Sequence, residues 1–88
     1  MSWPTKVPIL DARDICRGRA FQGEKRCLLG WTAESFGGVE VSRVRRLLQE
    51  ECGYEPTFND NQENSLRKIA NVWNRVMRKL GYTEDCER

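Results

Sequence analysis

A chain of 88 residues can form one small domain, because it is too short to bury a second hydrophobic core. Its hydrophobic fraction of 39% and charged fraction of 32% are typical of a globular domain rather than of a disordered segment. No apolar run approaches the roughly 18–20 residues that cross a bilayer, and the N-terminus lacks an apolar signal region. We therefore expect a cytoplasmic protein with a single domain over residues 1–88 and flexible ends at 1–7 and 83–88.

Two short helices are predicted in the first part of the chain. The first spans residues 8–18 and ends at Gly18, with a core-facing side made of Ile9, Ala12, Ile15 and Cys16. The second spans residues 26–36 and ends before a pair of glycines, with a core-facing side made of Cys27, Leu28, Trp31 and Phe36. Residues 19–25 between them are expected to form a loop or a tight turn.

A third helix is predicted over residues 42–53, with Ser42 as its N-cap and Gly53 as its stop. Residues 39–41, just before it, are compatible with a short extended segment. In this register the charges oppose the helix dipole, because three arginines occupy the first turn and two glutamates the last. The residues concerned are Arg43, Arg45, Arg46, Glu50 and Glu51. A pair between Arg46 and Glu50 would relieve part of this mismatch.

The strongest helical pattern lies in residues 64–80. Apolar residues recur there at spacings of three and four, which is typical of a helix that buries one face. That face comprises Leu66, Ile69, Trp73, Val76 and Leu80, widened by Ala70 and Met77. The opposite face is basic and comprises Arg67, Lys68, Arg75, Arg78 and Lys79. Suitable capping residues are Asn59, Asp60, Asn61 and Asn64 before the helix and Gly81 after it.

Together these segments predict an all-α fold, a compact bundle of about four helices whose main core is built on helix 64–80. The spacing of the apolar stripe in this helix also suits a seam between two chains, so a monomer and a homodimer are both expected alternatives. Trp3 and Tyr82 lie outside the apolar stripes and are expected to be exposed.

Four cysteines are spread along the chain, at Cys16, Cys27, Cys52 and Cys86. Four cysteines allow two disulfides in three pairings, but reduced thiols are favoured in a cytoplasmic protein. A zinc site built from all four is disfavoured, because the chain has no Cys-x-x-Cys pair and no histidine. We predict no metal and no cofactor. Cys27 is predicted to be a buried packing residue, since no imidazole is present to activate it as a nucleophile.

A short pattern along the chain resembles a small uncharacterised domain of bacterial and phage proteins. It consists of a glycine-ended turn at Gln22-Gly23, a Cys-x-x-Gly within an apolar helix at 27–30, and Asn59-Asp60 ahead of a closing helix. The pattern spans residues 9–80 and implies an all-helical fold without established chemistry. The chain departs from the family at Trp31, where a second small residue is usual.

Several features of the sequence disfavour an enzyme. Nucleophiles paired with histidine are excluded, because the chain has no histidine. Asp11 and Asp14 lie one turn apart, but a carboxylate pair at the start of a helix more often caps it. Residues 18–23 lack the Lys-Ser/Thr ending and the preceding strand of a phosphate loop. We therefore predict no catalytic residue.

The remaining class is that of binding proteins, and basic residues of the two longer helices are the predicted partner-binding surface. These residues are Arg43, Arg45, Arg46, Arg67, Lys68, Arg75, Arg78 and Lys79. We expect steric protein–protein binding to a host protein or ribonucleoprotein complex, because arginine, tryptophan and tyrosine are frequent at binding hot spots. By analogy of size, we expect a phage or mobile-element protein, for example an inhibitor of a bacterial defence system such as CRISPR-Cas.

The alternative is a small helical module that binds nucleic acid, in which the same arginines and lysines contact phosphates. The acidic residues within 49–65 disfavour this alternative, because they would repel a polyanion. The sequence pI of about 8.4 is also lower than that of most nucleic-acid-binding domains.

Overall fold

Three α-helices and one short hairpin make up the regular structure of the residues that the computed structural model describes, which are 7–19, 21–53 and 57–82. In chain order the elements are a single 3-10 turn (Ala12–Asp14), strands β1 (Phe21–Gln22) and β2 (Lys25–Arg26), and helices α1 (Leu28–Ser35), α2 (Val39–Glu51) and α3 (Leu66–Lys79). Helix α2 packs against both α1 and α3, and the 3-10 turn packs against α3. The fold is mostly helical as predicted, but the described residues form three α-helices rather than four, together with a two-stranded sheet.

Helix α3 is the predicted amphipathic helix, and its N-terminus is set by a local cap. The hydroxyl of Ser65 accepts a hydrogen bond from the backbone N–H of Lys68 at 3.1 Å. Ser65 is therefore the N-cap, rather than one of the asparagine and aspartate residues predicted for this role. One of those residues, Asn64, is buried and donates to the carbonyl of Phe58 instead.

The C-terminus of α3 is closed by a Schellman motif around Gly81. Gly81 has a φ of 99°, a conformation that favours glycine, which confirms its predicted role as the stop. The N–H of Gly81 donates to the carbonyl of Arg78, and the N–H of Tyr82 donates to that of Met77, both at 3.0 Å. Tyr82 thereby turns back onto the core and is buried, so the prediction that it is exposed is wrong. Trp3 lies outside the described residues.

The apolar face of α3 forms the centre of the core. Ile69, Trp73 and Val76 have no exposed surface, as the spacing of three and four residues predicts. Each fully buried side chain of this kind contributes about 1.5–3 kcal/mol. The core is completed by buried residues of the other segments, which are Val7, Leu10, Ile15, Leu28, Phe36, Val44, Leu48, Phe58 and Tyr82.

Residues 8–18 do not form the predicted helix, because side chains of α3 bind their backbone instead. The indole N–H of Trp73 donates to the carbonyl of Pro8 at 2.9 Å. The side-chain amide of Asn74 accepts from the N–H of Leu10 at 3.0 Å and donates to its carbonyl at 2.9 Å. These bonds satisfy backbone groups that a helix would pair internally, so the segment does not need to be helical.

The only helical turn in this segment is the 3-10 turn, which a capping box between Asp11 and Asp14 closes. After it the chain is extended, and Ile15 pairs with Arg26 of β2 in a parallel bridge. Ile15 and Cys16 are buried as predicted. Ile9 is 52% exposed, so its predicted place in the core is wrong.

Strands β1 and β2 form a hairpin that joins this segment to α1. Phe21 pairs with Arg26 across the hairpin, and the chain reverses at Gly23, whose φ is 64°. The tight-turn alternative for residues 19–25 is therefore correct. The guanidinium of Arg26 lies 5.2 Å from the ring of Phe21 and 5.0 Å from the ring of Trp31. It also pairs with Glu34, so Arg26 fastens the hairpin to α1.

Helix α2 begins earlier than predicted, at Val39 rather than after Ser42. Its N-cap is Gly38, with a φ of 60°, so the predicted extended segment 39–41 is in fact the first turn. The acidic residue of that turn is Glu40, which is buried. All three predicted arginines lie beyond the first turn, so their expected conflict with the helix dipole does not exist.

The predicted flexible ends, 1–7 and 83–88, lie outside the described residues, apart from Val7, whose side chain is buried. Within the part of the chain that the structure describes, no helix has both the length and the apolar character needed to cross a membrane.

Candidate functional site

A cleft opens between the start of α1, the C-terminal half of α2 and the turn at residues 57–60. Its volume is about 430 Å³, which lies in the usual range of binding pockets. Its floor is apolar and consists of Leu28, Leu48 and Phe58, each of them at most 6% exposed. Because the fold already buries these three side chains, they shape the cleft, and the apolar side-chain surface that a partner could remove from water there belongs mainly to the exposed Leu29.

The rim of the cleft carries exposed groups of different character. Leu29 is 54% exposed although it adjoins the apolar floor. Arg19 and Arg45 each contribute a guanidinium group, and Asp60 contributes a carboxylate. The carboxylate of Asp60 is engaged in the fold, because its Oδ1 accepts the N–H of Gly18 at 2.8 Å. The rim therefore presents one exposed leucine together with two positive charges and the negative charge of Asp60.

The side-chain amide of Asn59 connects the segments that build the cleft. Its Oδ1 accepts the N–H of Leu28, the first residue of α1, at 2.9 Å. Its Nδ2 donates to the carbonyl of Cys16 at 2.8 Å. Asn59 thus satisfies an N–H at the start of α1 that no helical carbonyl can reach. Together with Asp60 it anchors the 57–60 turn and so positions the cleft.

Three cysteine thiols lie at or beside the cleft. Cys27 is the N-cap of α1 and Cys52 is the C-cap of α2; both line the cleft and are partly buried. The Sγ of Cys27 accepts the N–H of Gly30 at 3.4 Å, so the prediction that Cys27 is a buried packing residue is wrong. Cys16 is buried, and all three are free thiols, while Cys86 lies outside the described residues.

Burial raises the pKa of the Cys16 thiol, and the nearby Cys27 raises this pKa further. The Sγ of Cys16 donates to the carbonyl of Arg19 at 3.2 Å. In the described ranges, no three cysteine, aspartate or glutamate side chains come together in a group able to hold a metal ion.

The three predicted arginines of α2 point in different directions. Residues of an α-helix are rotated by about 100° each, so Arg45 lies on the side of Leu48 and faces the cleft. Neither Arg43 nor Arg46 lines the cleft, although Arg46 shares a shallow surface cavity with Arg45 and Gln49. Arg46 faces Glu50 at 3.9 Å with 80% of its side chain exposed. The predicted Arg46–Glu50 pair is therefore present, and only Arg45 belongs to the cleft.

Two of the five predicted basic residues of α3 are bound to a carboxylate of α2. Glu51 pairs with Arg75 at 3.0 Å and also with Lys79. The side chain of Glu51 is 11% exposed, whereas those of its two partners are more than half exposed. Hydrogen bonds from Lys79 and then from Arg75 hold the pKa of Glu51 below its ordinary value. These three side chains brace α2 against α3.

The other basic residues of α3 lie on its exposed side. The Nζ of Lys68 donates to Oδ1 of Asn64 at 3.0 Å and lies 5.7 Å from the ring of Phe58. Arg67 and Arg78 are exposed. The structure therefore distributes the eight predicted binding residues over separate faces and brings one of them, Arg45, to the cleft.

The residues of the cleft other than Arg45 are not among the predicted binding residues, and they include Arg19, Leu29, Phe58 and Asn59. Leu29 belongs to a continuous apolar run, in which periodicity does not separate buried from exposed positions. Phe58 stands alone in a polar stretch, so no repeat marks it as a core residue. In the sequence, Asn59 was noted as part of the Asn59-Asp60 pair of the resemblance. In the structure it anchors the segments of the cleft.

No protein family model matches the chain, and no characterised protein or solved structure is significantly similar to it. The resemblance to a small domain of bacterial and phage proteins stays a prediction. Because a fold does not by itself define a function, the function is inferred from the cleft and the residues around it.

Proposed function

We propose that the protein is a non-catalytic binding protein whose cleft receives an apolar side chain of a protein partner, while Arg19 and Arg45 contact acidic groups beside it. The observation that carries this proposal is the composition of the cleft, in which a buried apolar floor, the exposed Leu29 and two arginines share one concave surface. Arginine is enriched at protein-binding hot spots, which lie in pockets that lose their water when the partner binds.

The chemistry of the lining supports a binding role rather than catalysis. Nucleophilic catalysis by Cys27 or Cys52 requires a general base, and the chain has no histidine to act as one. The carboxylate of Asp60 already accepts the N–H of Gly18 and serves the fold. The same groups can recognise a partner through apolar contact and charge without any reaction.

Charge placement favours a protein over a nucleic acid as the partner. Glu51 binds Arg75 and Lys79, and Lys68 bonds to Asn64, so much of the basic face of α3 makes contacts within the chain. Binding to a nucleic acid relies on many basic side chains that are available to neutralise phosphates. The cleft instead offers two arginines beside an apolar floor, which suits a mixed acidic and apolar protein surface.

In this proposal the protein acts by covering a surface of a host protein, as a small inhibitor from a phage or mobile element would. An inhibitor of a bacterial defence system such as CRISPR-Cas is one example of this class. A stable interface occupies about 800 Å² on each partner. The total surface of 5712 Å² is large enough to provide this area around the cleft.

A capture experiment with two matched charge reversals tests the proposal. Wild-type protein, Arg45→Glu and Arg43→Glu are immobilised and incubated with bacterial lysate, with and without nuclease, and the captured proteins are identified by mass spectrometry. We expect one protein to be captured by the wild type and by Arg43→Glu, and to be lost with Arg45→Glu, whether or not nuclease is added. Capture that disappears after nuclease treatment would support the nucleic-acid alternative, and equal capture by the two variants would exclude the cleft as the site.

A further inference from the structure

Cys16 and Cys27 lie next to each other across a parallel bridge beside the cleft. Ile15 pairs with Arg26 in this bridge, and the N–H of Cys16 donates to the carbonyl of Arg26 at 3.2 Å. Each cysteine directly follows one of the two paired residues. The side chains of two paired residues lie on the same face of the two segments, and the next residue of each segment lies on the opposite face. Cys16 and Cys27 therefore share one face.

The spacing of the two segments is suitable for a disulfide. Neighbouring strands lie about 4.8 Å apart, and the Cα atoms of a disulfide are about 4.4–6.8 Å apart. The amide of Asn59 holds both sides of the pair, because it binds the carbonyl of Cys16 and the N–H of Leu28, which directly follows Cys27. The influence of Cys27 on the pKa of Cys16 is consistent with this proximity.

The two thiols differ in their access to solvent. Cys27 is partly exposed and lines the cleft, so it is the cysteine of this pair that a small molecule in the cleft can approach. Cys16 is only 3% exposed, and its Sγ donates to the carbonyl of Arg19. One accessible thiol beside one protected thiol is the arrangement in which the first is attacked from solution and the second completes an intramolecular bond.

We propose that Cys16 and Cys27 form a dithiol modification site that low-molecular-weight disulfides oxidise to an intramolecular disulfide. The thiolate of Cys27 attacks one sulfur of the small disulfide, forms a mixed disulfide and releases one small thiolate. The thiolate of Cys16 then attacks Sγ of Cys27, forms the Cys16–Cys27 bond and releases the second small thiolate. The protein loses two protons and two electrons, and the small disulfide becomes two thiols.

Formation of this bond changes the cleft. It turns Sγ of Cys27 toward Cys16 and away from the N–H of Gly30, which removes the side-chain cap of α1. Leu28 and Leu29, at the start of α1, provide part of the floor and the exposed rim of the cleft. The effect of oxidation on binding rests on the proposed function, whereas formation of the disulfide does not.

The chemical part is tested in the full chain with Cys52→Ser and Cys86→Ser, which leaves only the two proposed cysteines. The folded protein is treated with oxidised glutathione, alkylated and analysed by intact mass and peptide mapping. We expect the mass to fall by two hydrogen atoms, with a Cys16–Cys27 linked peptide and no glutathione adduct. Adding Cys16→Ser should stop the reaction at a glutathione adduct on Cys27. A lasting adduct while Cys16 is present, or no reaction before unfolding, would overturn the proposal.

The wild-type protein, treated in the same way, provides a second measurement that does not depend on the substitutions. A link between Cys16 and Cys27 supports the assignment, and a link between Cys27 and Cys52 contradicts it. The capture experiment with oxidised and reduced protein then tests the link to binding, and we expect oxidation to reduce capture. Unchanged capture after the disulfide has formed would refute only the proposed effect of oxidation on binding. Failure of the reduced protein to capture any partner would count against the proposed function.

Discussion

Trp73 fills the centre of the core and also makes a specific polar contact. Its side chain has no exposed surface, and its indole N–H donates to the carbonyl of Pro8 at 2.9 Å. We expect Trp73→Ala to lower the free energy of unfolding by ~3–5 kcal/mol, a large share of the margin of a small domain. Trp73→Phe should cost less, because it keeps most of the apolar contact and loses mainly the bond to Pro8. Urea denaturation measures both, and near-wild-type stability of Trp73→Ala would contradict this account of the core.

Asn59 joins the 57–60 turn to the start of α1 and to Cys16, so the geometry of the cleft depends on it. Asn59→Asp keeps the oxygen that accepts the N–H of Leu28 but places a second oxygen against the carbonyl of Cys16. We expect this variant to lower the free energy of unfolding by ~1–3 kcal/mol, because it leaves that carbonyl without its donor. The control is Asn71→Asp, an exposed position on α3 where the same change should alter stability by less than about 0.5 kcal/mol. Equal effects of the two substitutions in thermal denaturation would show that Asn59 is not an anchor.

At the scale of elements, Glu51 connects α2 to α3 through ion pairs whose contribution to stability depends on pH. Its pKa in the folded protein is lowered by Lys79 and Arg75, so its stabilising effect is fully present above the ordinary glutamate pKa. That effect is lost as the pH falls through the lowered pKa. We therefore expect Glu51→Gln to be less stable than the wild type at neutral pH, with a difference that shrinks as the pH falls below the ordinary glutamate range.

Urea denaturation of both proteins over a series of pH values measures this difference. Glu50→Gln is the matched control, because it removes a carboxylate from the same helix turn at an exposed pair, with Arg46 at 3.9 Å, whose loss should change the free energy of unfolding by less than about 1 kcal/mol. A constant difference between Glu51→Gln and the wild type at all pH values would show that the ion pairs with Arg75 and Lys79 do not stabilise the fold.

Helix α3 could be predicted from the sequence because its signal is local. Fourteen residues with one apolar stripe, a serine before them and a glycine after them mark the helix and its ends within one continuous stretch of sequence, although its stability comes from packing. The segment 8–18 shows a similar spacing over fewer residues, but Trp73 and Asn74 bind its backbone from α3. Contacts between residues so distant in the sequence produce no periodic pattern, so the sequence does not show that they replace a helix in residues 8–18.

The start of α2 shows a second limit of local patterns. Gly38 and Ser42 are both acceptable helix starts, and two local signals disagree, because serine is the better N-cap whereas the arginines favour the earlier start, which places them beyond the first turn. The structure begins the helix at Val39, so Glu40 becomes the buried acidic residue of the first turn. This earlier start places all three arginines beyond the first turn, whereas their distribution around the helix follows from the rotation of about 100° per residue and would be the same with either start.

At the scale of the whole molecule, the cleft is formed by segments that are far apart in the sequence. Its floor combines α1, α2 and the 57–60 turn, and sequence patterns alone do not show that these segments meet. The basic lining of the cleft was predictable in part, since Arg45 belongs to it, but its concave shape and its apolar floor were not. The apolar stripe of α3, which would also suit a seam between two chains, is buried within this chain at Ile69, Trp73 and Val76.

The central claim is that the cleft, and not the exposed surface in general, binds the partner. Leu29 and Ile9 permit a direct comparison, because they are 54% and 52% exposed and only Leu29 lines the cleft. The affinity of the captured protein for Leu29→Asp and Ile9→Asp, measured by isothermal titration calorimetry, tests the claim. We predict that Leu29→Asp weakens binding by about tenfold or more, corresponding to ~1.4 kcal/mol, while Ile9→Asp binds like the wild type. Equal affinities of the two variants, or weaker binding by Ile9→Asp, would contradict the assignment of the cleft as the binding site.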